Sequence, residues 1–164
     1  DINDLANDLG NLLNRITILI RKFCNSSVPN IKSPDKDDNS LISKIQELPK
    51  LCIENIEDFK INIAIENIMN VVRGINKYLE IKQPWKTLKL DGSNQDGLNA
   101  LSISCEAIAL SSKLLYPVMP NKCQEIFNIL DIEQTSINNF DFQKVSGNKI
   151  KEHAALFPRI ENDN

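Results

Sequence analysis

Asn7, Asn11 and Arg15 recur at four-residue steps in LANDLGNLLNR (5–15), a spacing that sets all three along one side of a helix. An Asn amide carries both a donor and an acceptor, the pair of functions a base edge presents. Arg adds a planar fork of donors suited to carbonyl oxygens and phosphates. Far along the chain, NKYLEIKQPWK (76–86) holds Trp85, the sole tryptophan, beside Pro84 and just past the expected end of another helix. An exposed indole is a good surface on which to stack an unpaired base. The chemistry these residues offer is recognition by hydrogen bonding and stacking, as in reading unpaired RNA bases. Each has a plainer alternative: a solvated helix face for Asn11 and Arg15, and a core tryptophan closing a helix for Trp85.

Signatures of bond-making chemistry are missing from the sequence. It contains no Gly-rich phosphate loop, no Ser-His-Asp order and no metal-ligand spacing. Cys24, Cys52, Cys105 and Cys123 lack any CxxC spacing and sit among apolar residues, which predicts free buried thiols and a reducing, cytoplasmic compartment. His153 lies alone in a polar stretch, where a surface role is expected. The net charge of −3 and pI near 5.2 weigh against affinity built on bulk electrostatics. Two basic clusters stand out all the same: Arg15, Arg21 and Lys22, and Lys77, Lys82, Lys86 and Lys89 around the tryptophan. A solvated face or an RNA backbone explains the second equally well. Asp4, Asp8 and Glu80 are near enough to orient Arg15.

The elements that must position these residues read as helices. With 164 residues, 41% apolar content and only five glycines, the chain is expected to be one all-α domain. Leu5, Leu9, Leu12, Leu13, Ile16, Leu19, Ile20 and Phe23 make one apolar stripe over about 2–24. At ~100° per residue, Asn11 and Arg15 project roughly 120° from its centre, flanking the core and facing solvent. Gly10 sits mid-helix, where a close neighbour would explain it. A polar loop (25–37) leads to a second helix from about 39 or 40 to 56, which Pro49 should kink or divide. Ile61, Ile65, Ile68, Val72, Ile75 and Leu79 define a third, from about 59 to 81, stopping before Gln83 because it precedes proline. A loop at 91–97 precedes a fourth helix, and YPVMP (116–120) turns the chain into a short fifth with Pro120 in its first turn. The bundle of about five helices spans roughly 2–131, with an extended polar C-terminal tail over 132–164. No apolar run approaches the ~20 residues that cross a bilayer, nothing at the start resembles a signal peptide, and no membrane partner is expected. The chain begins at Asp1 with its first residues already in a motif, as expected of a fragment of a longer protein.

These segments resemble the anticodon-binding domain of methionyl-tRNA synthetases. LANDLGNLLNR is similar to the opening of that domain's first helix, and NKYLEIKQPWK to its Asn-Lys-Tyr…Pro-Trp segment. LLYPVMP resembles its Leu…Pro-Phe-Met-Pro break, and LFPRIE its closing segment. The four matches keep their order from residue 5 to 161. The resemblance implies a helix bundle that follows a catalytic domain binding methionine and ATP. The nucleotide-binding signatures of that domain (HIGH and KMSKS types) are absent here, so no catalytic residue, metal or cofactor is expected in this fragment. It further implies that Asn11 and Arg15 contact the first base of a CAU anticodon of methionine tRNA, and that Trp85, set by Pro84, stacks on an anticodon base. Asn7 and Asn14 would be supporting contacts. The chain departs from the pattern at KEHAALFPRI, which lacks a Lys-Pro, at Pro49, and at Val118, where the family prefers an aromatic residue. Neighbouring readings are the helical domain of a leucine, isoleucine, valine or cysteine synthetase, and a helical protein-interaction module without an RNA role.

Overall fold

A computed structural model describes residues 1–133 and 138–152. His153 and the closing LFPRIE segment lie outside the described residues. Among the described residues six helices follow one another: α1 (Ile2–Phe23), α2 (Lys36–Glu57), α3 (Ile61–Lys82), α4 (Pro84–Leu90), α5 (Gln95–Leu115) and α6 (Pro120–Leu130). The all-α expectation holds; the described residues contain one isolated antiparallel bridge, Ser27 to Lys149. α1 is held at its start by a reciprocal capping box between Asp1 and Asp4, and its apolar stripe is buried as the periodicity predicts. Gly10 is buried on the same helix.

The bundle is built round α5, which packs against all five other helices. Its Ala, Ser and Cys side chains let neighbours approach closely on every side, and nearly the whole helix is buried. By length and composition α5 is apolar enough to cross a bilayer, which the sequence reading did not anticipate. However, 89% of that stretch is buried inside the bundle, the place of a core helix.

Two expectations are corrected. α2 begins at Lys36, earlier than expected, because Asp35 caps it in a box closed by Asp38. It also runs through Pro49 undivided. The ~3 kcal/mol that an internal proline costs is offset by packing: Leu48, Pro49 and Cys52 are buried along the extensive α2–α3 contact. The segment 138–152 belongs to the expected extended C-terminal tail. It is non-helical, but it straps back across the bundle, burying Val145 and Ile150. Backbone bonds join it to the loop after α1, with Val28 N–H donating to Asn148 (2.9 Å), Gly147 N–H to Val28 (2.8 Å) and Ile150 N–H to Ser26 (2.7 Å). The buried Glu106 carboxylate on α5 accepts from the N–H groups of Lys144, Val145 and Ser146 at 3.1, 2.8 and 3.0 Å.

Candidate nucleic-acid interface

α3 ends on Gln83, whose backbone is left-handed (φ 46°, ψ 55°), and the chain turns there directly into α4. Pro84 occupies the first position of α4, where its missing N–H costs nothing. Trp85 therefore sits just past the end of α3, as expected, and in the first turn of a short helix that the sequence reading did not include. Its ring is half-buried, packed on the core, and the Arg15 guanidinium lies over it at 5.3 Å from the ring centroid. Such a cation–π contact is worth ~0.5–1 kcal/mol at an exposed site. Arg15 has no carboxylate partner among the described residues; Asp4 serves the α1 cap instead.

Beside this pair lies a groove of about 350 Å³, lined by Arg15, Ile16, Ile18, Leu19, Leu79, Pro84 and Trp85. Its walls are almost wholly apolar, with Arg15 the one charged group, a combination suited to a flat ring with a polar edge. The structure thus brings Arg15, Pro84 and Trp85 together. Asn11 is exposed one turn before Arg15 on the same side of α1. Asn7 lies elsewhere: it is exposed in a second hollow between the starts of α1 and α6, with Asn3, Met119, Pro120 and Lys122. Eight residues at ~1.5 Å rise place it about 12 Å along the axis from Arg15. Asn14 is half-buried and does not line the groove; its carbonyl accepts from the Thr17 hydroxyl at 3.2 Å.

The basic cluster around the tryptophan divides. Lys77, Lys86 and Lys89 are exposed. Lys82 is neither an RNA-facing nor a solvated residue: its ammonium is buried among Asp35, to which it bonds closely, Asp96 (2.6 Å) and Asp38 (3.5 Å). The Tyr78 hydroxyl donates to Asp38 at 2.5 Å in the same cluster, so Tyr78 is packed in the core. Burial works against the Lys82 charge. The bonds to Asp35 and Asp96 and the charge of Asp38 more than offset it, so the ammonium is held above its ordinary range. Asp35 is pulled below the usual carboxylate range, first by the Asp38 N–H and then by Lys82. Among the described residues, this trio of carboxylates is close enough to share a metal ion, and the Lys82 ammonium takes up that role. Of the other basic cluster, the half-buried Arg21 reaches the Lys151 carbonyl (3.5 Å) and Lys22 lies over Phe23.

Two features of the site went unread in the sequence. Ile18 is 59% exposed on the polar side of α1, three residues beyond Arg15, and supplies a groove wall. An isoleucine off the apolar stripe is a signal that could have found it. Gly97 is the second. A Cβ there would stand 2.7 Å from Thr87 Oγ1 and 2.9 Å from Leu88 Cγ, so only glycine lets α5 meet α4 this closely.

The helical bundle thus carries an Arg-over-Trp pair beside an apolar groove, and comparison with known proteins specifies its family. The family model of the anticodon-binding domain of tRNA ligases matches residues 38–162, and the chain belongs to that family. Methionine–tRNA ligase of Sulfurisphaera tokodaii is 32% identical over 164 residues, covering 96% of this chain and 28% of that protein. The Fusobacterium nucleatum methionine–tRNA ligase is 30% identical over 166 residues, covering 97% and 26%. Among solved structures, ligand-free methionyl-tRNA synthetase of Mycobacterium tuberculosis superposes with a TM-score of 0.87 at 25% identity, over 95% of this chain and 32% of that one. The chain thus corresponds to the anticodon-binding domain of methionyl-tRNA synthetases and spans about a third or less of their length.

Proposed function

We propose that this chain reads the CAU anticodon of methionine tRNA, and that its parent protein ligates methionine to that tRNA using ATP in a separate catalytic domain. The observation that carries the reading is the Arg15–Trp85 pair beside the apolar groove, on a chain of this family. An incoming base that stacks on Trp85 gains ~1–3 kcal/mol, more than the ~0.5–1 kcal/mol of the arginine contact it displaces. The freed guanidinium and Asn11, one turn away, are then in place to hydrogen-bond the edge of the first anticodon base. Pro84 fixes the start of α4 and so the indole. Asn7 and Asn14 act outside the groove, toward neighbouring nucleotides or the phosphate backbone. In this reading the fragment supplies specificity and no catalysis, binds no cofactor of its own, and works in the cytoplasm.

An NMR titration with a CAU anticodon stem-loop, beside one whose first anticodon base is changed, tests this. Shifts of the Trp85 indole N–H and the Asn11 amide with CAU alone support it. Equal diffuse shifts with both, or none, would remove the anticodon reading. A second reading, a protein-interaction module, draws on the apolar edge at the α2–α3 turn, where Ile53, Ile56, Ile61 and Ile63 are exposed and Phe59 is 95% exposed. The same titration decides between the two.

A further inference from the structure

We infer that Lys82 is a positioning residue for the tryptophan: its carboxylate cage fixes the elbow that aims Trp85 at Arg15. The inference rests on the anticodon reading above. Lys82 is the last residue of α3, one residue before the left-handed Gln83 and three before Trp85. A non-glycine residue holds that backbone only where its surroundings impose it. Lys82 supplies the imposition on one side. Its ammonium gathers the cap of α2 (Asp35), the first turn of α2 (Asp38) and the first turn of α5 (Asp96) onto the end of α3. On the other side of the elbow, Thr87 and Leu88 of α4 press on Gly97, in the same first turn of α5 that carries Asp96. One turn of α5 therefore grips the chain both before and after Gln83–Pro84–Trp85. The direction of the indole depends on a buried charge cluster that itself lies outside the base-reading groove.

Trp85 is the sole tryptophan, so its fluorescence reports the elbow without RNA. The 164-residue chain is compared with Lys82→Met, Lys82→Arg, Asp96→Asn and Trp85→Ala. The measurements are acrylamide quenching of Trp85 and affinity for CAU and base-changed stem-loops. Lys82→Met should raise quenching and weaken CAU binding about tenfold, roughly the loss of one base–aromatic stack. Affinity for the base-changed loop should move little, and Lys82→Arg should restore most of the effect. Asp96 is half-exposed. Asp96→Asn thus keeps the fold if Lys82→Met does not, and should move both readouts the same way by less. Ile126→Val, in the core of α6, controls for lost stability alone. Wild-type quenching and affinity in both cage variants, or equal changes in Ile126→Val, would overturn the inference. If Trp85→Ala leaves RNA binding intact, the anticodon reading fails, while RNA-free quenching still judges whether Lys82 sets the indole.

Discussion

Replacing Gly97 by alanine sets two effects of known sign against each other. Gly97 lies in the first turn of α5, and alanine there favours the helix by ~0.5–1 kcal/mol, partly through the unfolded chain. Against this, the new methyl would meet Thr87 Oγ1 at 2.7 Å and Leu88 Cγ at 2.9 Å, where ordinary contacts begin at 3.4 Å. Thr87 Oγ1 sits on a stiff β-branched stem and Leu88 Cγ is a branch point packed in the core, so relief requires α4 to move by about half an ångström. Overpacking of this kind costs ~1–3 kcal/mol. The clash wins, and we expect a net loss of about 1 kcal/mol and a fall in Tm of ~2–4 °C. Because α4 carries Trp85, its emission and near-ultraviolet circular dichroism should change in the same variant. Adding Thr87→Ala removes the closest contact together with a buried hydroxyl that has no hydrogen-bond partner among the described residues. That double variant should recover part of the loss. A Tm above wild type with an unchanged Trp85 spectrum would show that helix propensity governs this position, and the argument for a gripped α4 would be wrong.

Two further outcomes follow from buried polar groups. Glu106→Ala orphans three strap N–H groups, each costing ~1–3 kcal/mol if it stays buried. The strap can escape by undocking, at the expense of burying Val145 and Ile150. The expected loss is therefore ~3–5 kcal/mol, with hydrogen-exchange protection lost over 144–150 first; unchanged protection there would contradict it. Stability should also fall at alkaline pH. Burial, then the bond to Asp38, pushes the Tyr78 phenol well up; the carboxylate cage raises Lys82; burial lifts Cys52 to about 11 and Cys123 to about 12. Groups whose folded-state values are raised contribute fully below their unfolded values and lose that contribution as pH climbs through the folded ones. Melts should thus decline from about pH 9, where unfolded thiols begin to ionise, and more steeply past 10 as tyrosine and lysine join. Tyr78→Phe should lessen the steeper part, and a flat Tm from pH 9 to 11 would contradict the account.

Helices α1 and α3 were legible because each buries one continuous stripe: Leu5 through Ile20 in α1 and Ile68 through Leu79 in α3 repeat at helical spacing. α4 was not. Seven residues give too little period to read, and its start depends on a left-handed glutamine that no propensity favours. Arg15, Pro84 and Trp85 could be singled out by type, but their meeting depends on how α4 folds back, a tertiary fact. Lys82 was misread because a lysine next to other lysines looks solvated; its carboxylates come from residues 35, 38 and 96. Glu106 is the opposite case. A lone acid in the run ALSISCEAIAL signals a buried partner, yet only the fold supplies that partner, as backbone from 144–146.

The strap also has a consequence for the order in which the domain can be completed. Its bonds to Ser26 and Val28 connect residues about 120 positions apart, so the loop after α1 waits for nearly the whole domain to be synthesised. At ~5–20 residues per second, that delay on the ribosome is about 6–24 s. Until then Glu106 has no strap amides to hold it, and the emerging bundle carries an unpaired acid on its central helix. The segment that seals the core is thus one that leaves the ribosome after α1 to α6 have all emerged.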